Sequence, residues 1–175
     1  MQKIAIVTGA SRGIGRECAK MLAREGIKVI ANYNNSENKA KELKEELARE
    51  NIDIDIFKAD VSKKEEVKQM VELVLSKYGK IDLLINNAGI SQSKLFTDIT
   101  DEDWENMINT NLSSAFYMTR EVLPSMISEK NGCIINISSV WGITGGSCEV
   151  HYSASKAGMI GMTKALAKEV RTIKH

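Results

Sequence analysis

Ile4-Ala5-Ile6-Val7-Thr8-Gly9-Ala10-Ser11-Arg12-Gly13-Ile14-Gly15 is the stretch on which the fold turns. Four apolar, mostly β-branched residues stop at a threonine and a glycine, the pattern of a short strand buried on both faces. A helical period follows, with Cys18, Ala19, Leu22 and Ala23 on one face, and Gly26 stands where a helix closes on a left-handed residue. Strand, glycine turn and helix in that order aim backbone N–H groups at a helix N-terminus. Such a terminus holds a phosphate, and glycine permits both positive φ and close approach. The spacing Gly9-x-x-x-Gly13-x-Gly15 differs from the G-x-G-x-x-G dinucleotide fingerprint. The turn predicts a phosphate site without repeating that motif.

Outward from this stretch the alternation continues. Val29-Ile30-Ala31 predicts strand two, and Ser36 is placed to cap a charged helix with Leu43 and Leu47 inward. Ile52, Ile54 and Ile56 alternate into strand three, which ends at Ala59-Asp60-Val61, and Ser62 is placed to cap the next helix. That helix carries the apolar stripe Val67, Met70, Val71 and Val74 and closes at Gly79. Strand four, Ile81 to Ile85, runs into Asn86-Asn87-Ala88-Gly89. Thr100 with Asp103 reads as a capping box that opens a long helix to about Pro124. Ile134 to Ile137 is strand five, and the last helix runs from Tyr152 to about Val170. Strict alternation with short connections predicts an α/β fold: a doubly wound, Rossmann-like parallel sheet of five strands in a single domain over 1–175. In such sheets ligands bind beyond the carboxyl ends of the strands.

Composition excludes several classes. At 43% hydrophobic and 27% charged residues with a net charge of +1, the chain has no basic surplus to attract nucleic acid or an anionic membrane. No run reaches the roughly 18 apolar residues of a membrane span. Met1 to Gly9 is too short an apolar run for a signal peptide, so a cytoplasmic protein is expected. Cys18, Cys133 and Cys148 have no metal-ligand spacing and are expected to pack as small apolar residues, with no metal bound.

Ser139 to Lys156 carries the chemistry. If Tyr152 opens a helix, Lys156 lies one turn on along the same face. A cation beside a phenol favours the phenolate and makes the phenol a readier proton donor. The dinucleotide can be read as well. NAD sites place an acid near the end of strand two, but here that region is Asn32-Tyr33-Asn34-Asn35, without an acid before Glu37. Arg12 lies in the glycine turn, where its guanidinium suits a 2′-phosphate, so NADPH is favoured over NADH. His151 has no recognisable partner in the sequence and receives no role, while Trp104 and Trp141 read as packing or pocket-wall residues.

With these motifs assembled, the chain resembles the classical short-chain dehydrogenase/reductase family. The resemblance rests on T-G-A-S-R-G-I-G at Thr8 to Gly15, Asp60-Val61, N-N-A-G at Asn86 to Gly89, N-T-N-L with Asn111, and Ser139 before Tyr152 and Lys156. N-T-N-L-S-S-A-F and S-V-W-G look most like the 3-oxoacyl-[acyl-carrier-protein] reductases of fatty-acid synthesis. The resemblance implies an NAD(P)-dependent oxidoreductase that reduces a ketone, free or bound to acyl carrier protein, to a secondary alcohol. A sugar or steroid alcohol is the alternative substrate. It implies that Tyr152 donates the proton, Lys156 tunes Tyr152 and holds the nicotinamide ribose, Ser139 orients the carbonyl, and Asn111 holds a relay water. The implied cofactor cradle is Gly9, Ser11, Arg12, Gly13, Ile14, Gly15 and Asn34, with Asp60 and Val61 at the adenine and Asn87, Ala88 and Gly89 at the ribose. Pairing through the two long helices is implied too, giving a homodimer or homotetramer. Family members continue past this last helix into a Pro-Gly segment and a substrate lid. The expectation is therefore an incomplete substrate side, an exposed edge at strand five, and a protein that binds dinucleotide but turns over weakly.

Overall fold

The computed structural model describes residues 2–172. Five strands, β1 (Ile4–Val7), β2 (Lys28–Tyr33), β3 (Asp55–Lys58), β4 (Leu83–Asn86) and β5 (Cys133–Asn136), form one parallel sheet in the order β3-β2-β1-β4-β5. The helices are α1 (Gly13–Arg24), α2 (Glu37–Arg49), α3 (Lys64–Tyr78), α4 (Asp101–Ile108), α5 (Ser114–Ser128), α6 (Trp141–Thr144) and α7 (Val150–Thr172). The strand order reverses between β1 and β4, so the loops leaving those two strands open a crevice at the carboxyl edge.

Alternation along β1 divides the core. Ile4 and Ile6 pack with Val67, Met70, Val71 and Val74 of α3 and Met118, Val122 and Met126 of α5. Ala5 and Val7 face the other way, onto Ala19, Leu22 and Ala23 of α1 and Leu43 and Leu47 of α2. Each fully buried Ile, Leu or Met contributes about 1.5–3 kcal/mol, which holds both helix layers on the sheet. Among the described residues, no helix is long and apolar enough to cross a membrane.

Several boundaries differ from the sequence expectation. Strand three begins at Asp55, because ladder pairing starts at Ile30 with Asp55; the upstream isoleucines report burial rather than pairing. Ser36 is the N-cap of α2 but makes no capping hydrogen bond. Ser62 is not a cap: its hydroxyl donates to Asp60 Oδ1 at 2.7 Å, and Lys63 precedes α3. The Thr100–Asp103 capping box forms, but the long helix it opens is broken by a π turn at Asn109–Ser113. Beyond it, α5 continues past Pro124, where both Pro124 and Arg120 are exposed and water can solvate the carbonyl that proline cannot serve. Cys133 does not pack as an apolar residue; it is exposed on β5, whose outer edge has no neighbouring strand among the described residues and whose Ile135 remains 42% exposed.

Candidate active site

The glycine turn and the loop after β4 are fitted to each other. A Cβ on Gly9 would lie 2.9 Å from Ala88 Cα, and one on Gly15 would overlap the Asn87 amide. Gly13 differs: its φ is +56°, and nothing lies within 4 Å of a Cβ there, so the space before the turn is open. Thr8 Oγ1 accepts hydrogen bonds from Asn87 N at 2.9 Å and Ala88 N at 3.0 Å, and Asn87 Nδ2 returns one to Thr8 O at 2.9 Å. Asn32 Oδ1 accepts from Gly9 N at 3.3 Å while its Nδ2 donates to Ala59 O at 3.0 Å. Thr8 and Asn32 thus set the turn, although sequence reasoning assigned neither a site role. The available signal was a buried polar residue at the carboxyl end of an otherwise apolar strand.

The remaining cradle residues divide. Ser11 is buried in the turn, and Ile14 is 62% exposed at the first turn of α1. Arg12, the N-cap of α1, is exposed, and among the described residues its guanidinium has no partner. Asn34 is exposed at the end of β2. Asp60 is engaged locally, accepting from Ser62 N at 3.0 Å and from the Ser62 hydroxyl, and Val61 beside it is buried. A cradle with open space at Gly13, a free guanidinium and a helix N-terminus fits a dinucleotide pyrophosphate.

Lys156 and Tyr152 lie where α7 meets the end of β5. Starting at Val150, α7 puts Tyr152 in its first turn. Lys156, only 4% exposed, donates from Nζ to Ile137 O at 2.8 Å and stands 5.8 Å from the centroid of the Tyr152 ring. Ser138 Oγ donates to Lys156 O at 3.1 Å, and a Cβ on Gly142 would come within 2.8 Å of the Lys156 carbonyl carbon. The segment bearing Ser139 is thereby pressed against the lysine. Ser139 Oγ itself accepts from Trp141 N at 3.2 Å at the start of α6, a short helix absent from the sequence expectation. Burial lowers the Lys156 pKa from its ordinary value, and among the described residues no carboxylate pairs with it.

Asn111 sits fully buried in the π turn. Its Oδ1 accepts from Ile90 N at 2.8 Å, and its Nδ2 donates to Ile90 O at 2.9 Å and to Ser155 Oγ at 3.1 Å. Both amide hydrogens are used, so the side chain clamps the loop after β4 to α7. Gly89 occupies the junction: a Cβ there would lie 3.2 Å from Asn111 Oδ1 and 3.6 Å from Lys156 Nζ. The structure thus fits Gly9 and Gly15 to Asn87 and Ala88, brings Gly89 to Asn111 and Lys156, and sets Tyr152 and the segments flanking Ser139 beside Lys156, with Asn34, Asp60 and Val61 on other loops.

Comparison with known proteins agrees with this geometry. The family described as short chain dehydrogenase matches residues 3–174. The chain is 42% identical over 170 residues to the 3-oxoacyl-[acyl-carrier-protein] reductase FabG of Staphylococcus epidermidis, spanning 97% of this chain and 70% of that protein. It is 43% identical over 168 residues to the FabG of Thermotoga maritima, covering 96% of this chain and 68% of that one. A crystal structure of a metagenomic short-chain oxidoreductase in complex with NADP superposes with a TM-score of 0.93 at 31% identity, covering 98% of this chain and 76% of that one.

Proposed function

Because this chain belongs to the short-chain dehydrogenase family, NAD(P)-dependent oxidoreductases acting on CH–OH groups, we propose that it is an NADPH-dependent reductase of a 3-oxoacyl thioester carried on acyl carrier protein. The observation that carries this reading is the seating of Lys156. Its Nζ on Ile137 O and its carbonyl on Ser138 hold the proton-transfer pair against the Ser139 segment. The glycine turn would hold the pyrophosphate, Arg12 the 2′-phosphate, and Gly89 with Lys156 the nicotinamide ribose. When bound, the nicotinamide supplies hydride to the carbonyl carbon. Ser139 orients the carbonyl oxygen by a hydrogen bond, and Tyr152 donates the proton the developing alkoxide needs. The Lys156 ammonium stabilises the negative charge left on the phenol oxygen.

The exposure of Ile135 on β5, an edge strand among the described residues, accompanies a second reading, in which dinucleotide affinity outlasts turnover. One experiment addresses both. The purified chain is titrated with NADPH and NADH by calorimetry and then assayed with an acetoacetyl thioester of acyl carrier protein. The proposal expects NADPH to bind at least about tenfold more tightly than NADH, with Arg12→Leu removing most of that preference. Equal affinities, unchanged by Arg12→Leu, would overturn the NADPH assignment. Tight binding without turnover would select the second reading.

A further inference from the structure

Next to Tyr152 lies a buried group that the proton chemistry does not use. His151 is 0% exposed, and its Nε2 stands 2.9 Å from Gln92 Oε1. Gln92 Nε2 in turn donates to Asp103 Oδ1 at 2.9 Å. Asp103 is held by Lys94 Nζ and by the Thr100 backbone N–H, contacts that keep its carboxyl well below the usual carboxylate range. An ionised carboxylate only accepts, which fixes the orientation of the Gln92 amide: its N–H₂ must face Asp103 and its oxygen must face the imidazole. Gln92 Oε1 can only accept as well, so His151 Nε2 must carry the proton. Its Nδ1 is buried and has no hydrogen-bond partner among the described residues, as an unprotonated ring nitrogen allows.

The same relay belongs to a pinned strap. From Ile90 to Lys94 every second residue is tied to a different element: Ile90 to Asn111, Gln92 to His151 and Asp103, and Lys94 N to Cys148 O at 2.8 Å. Ser91 and Ser93, between these ties, are exposed. The strap begins one residue after Gly89 and is fastened to the first turn of α7 beside Tyr152. Resting on the reductase reading, we propose that His151, as its Nε2–H tautomer, is a positioning residue. Through Gln92 and Asp103 it fixes the first turn of α7, and with it the Tyr152 phenol, relative to the loop that flanks the nicotinamide side of the crevice.

The test separates this proposal from the reductase reading itself. Ring nitrogens are followed by 15N NMR on the dinucleotide-free chain, which has only two histidines, so the His151→Gln variant assigns the signals. The proposal expects a protonated Nε2 and an unprotonated Nδ1 for His151, and averaging of the two nitrogens in Gln92→Leu. His151→Leu is expected to displace the Tyr152 ring resonances, and His151→Gln, which keeps an N–H donor near the Nε2 position, to restore them. In turnover, His151→Leu should lower kcat about tenfold with KM and NADPH Kd changed less than about twofold, and His151→Gln should recover to within about threefold of the parent. A proton on Nδ1, or a folded His151→Gln no better than His151→Leu in the Tyr152 resonances, overturns the proposal. If the parent shows no turnover, the reductase reading fails, while the tautomer and the Tyr152 resonances still decide the positioning role.

Discussion

Two lysines lie buried at opposite edges of the same sheet, and the protein treats them in opposite ways. Lys28 opens β2 at the amino edge, 8% exposed, where its Nζ contacts the carboxylates of Asp53 and Asp55, the latter at 3.3 Å. Burial opposes its charge, but the hydrogen bond to Asp53 and the nearby Asp55 carboxylate outweigh burial, and its pKa is raised. Lys156, at the carboxyl edge, is buried to a similar degree, yet among the described residues its Nζ hydrogen-bonds a neutral carbonyl and pairs with no carboxylate, and its pKa is lowered. A buried charge left without a counter-charge costs stability. The amino edge uses its cation to join β2, β3 and α3. The carboxyl edge leaves its cation without a counter-charge among the described residues, as the proposed ribose and phenol contacts require.

The sharpest way to break this contrast is to remove each ammonium in turn. Lys156→Met should reduce kcat/KM by at least about 10²-fold, the scale of lost acid–base and electrostatic assistance. The same change should leave stability equal or raise it by about 1 kcal/mol, because an unpaired buried charge disappears. Urea unfolding beside the kinetic assay reads both. The sign with pH is distinctive. A lowered lysine pKa means the unfolded chain holds more protons between that pKa and the ordinary 10.5. Parent stability should therefore rise across that interval, and Lys156→Met should be flat there. A marked loss of stability in Lys156→Met would show that the carboxyl-edge lysine is structural after all.

Lys28→Met is the converse. It leaves Asp53 and Asp55 without their shared partner and should cost about 2 kcal/mol, a value moderated because Asp53 is largely exposed. Dinucleotide affinity should stay within about twofold, since β2 separates this edge from the glycine turn. Because the folded Lys28 pKa is raised, its contribution is complete below the ordinary 10.5 and fades above it, the reverse of Lys156. Loss of NADPH binding in a folded Lys28→Met would mean that the two edges are coupled.

The contrast also marks what the sequence could show. Apart from the early part of strand three, the strand runs, the glycine turn and the Thr100–Asp103 box are written in residues close together in the chain, and they formed. The arrangement of the crevice depends on partners far apart in the chain. Thr8 meets Asn87 and Ala88, Asn32 Oδ1 accepts from Gly9 N, and Asn111 clamps Ile90. No local pattern announces such pairs. His151 lacked a partner in the sequence because Gln92 lies 59 residues away. The π turn is likewise silent, since Asn109 to Ser113 continues the helical pattern on both sides. Resemblance supplied the identity of Asn111, but only the fold shows that its amide ties the loop after β4 to α7.

The smallest expected effect tests whether the amino-edge network behaves as a unit. Burial opposes ionisation of Asp55, but hydrogen bonds from Lys77 and Tyr78 at 2.7 and 2.6 Å, with the charge of Lys28, bring its pKa down to about 2. The unfolded carboxyl titrates near 3.8, so the ion pair's contribution is full above that value and is lost as pH falls toward 2. With Asp55 one-quarter exposed and solvent screening allowed for, that contribution is about 1 kcal/mol. Asp55→Asn should remove it at pH 6 and converge with the parent near pH 2, provided both remain folded enough for a urea midpoint at the acid end. Lys28→Met and Asp55→Asn should combine with less than the sum of their separate costs, since each removes part of one network. Full additivity would show that Lys28 draws its support from Asp53 alone, and that Asp55 serves Lys77 and Tyr78 independently.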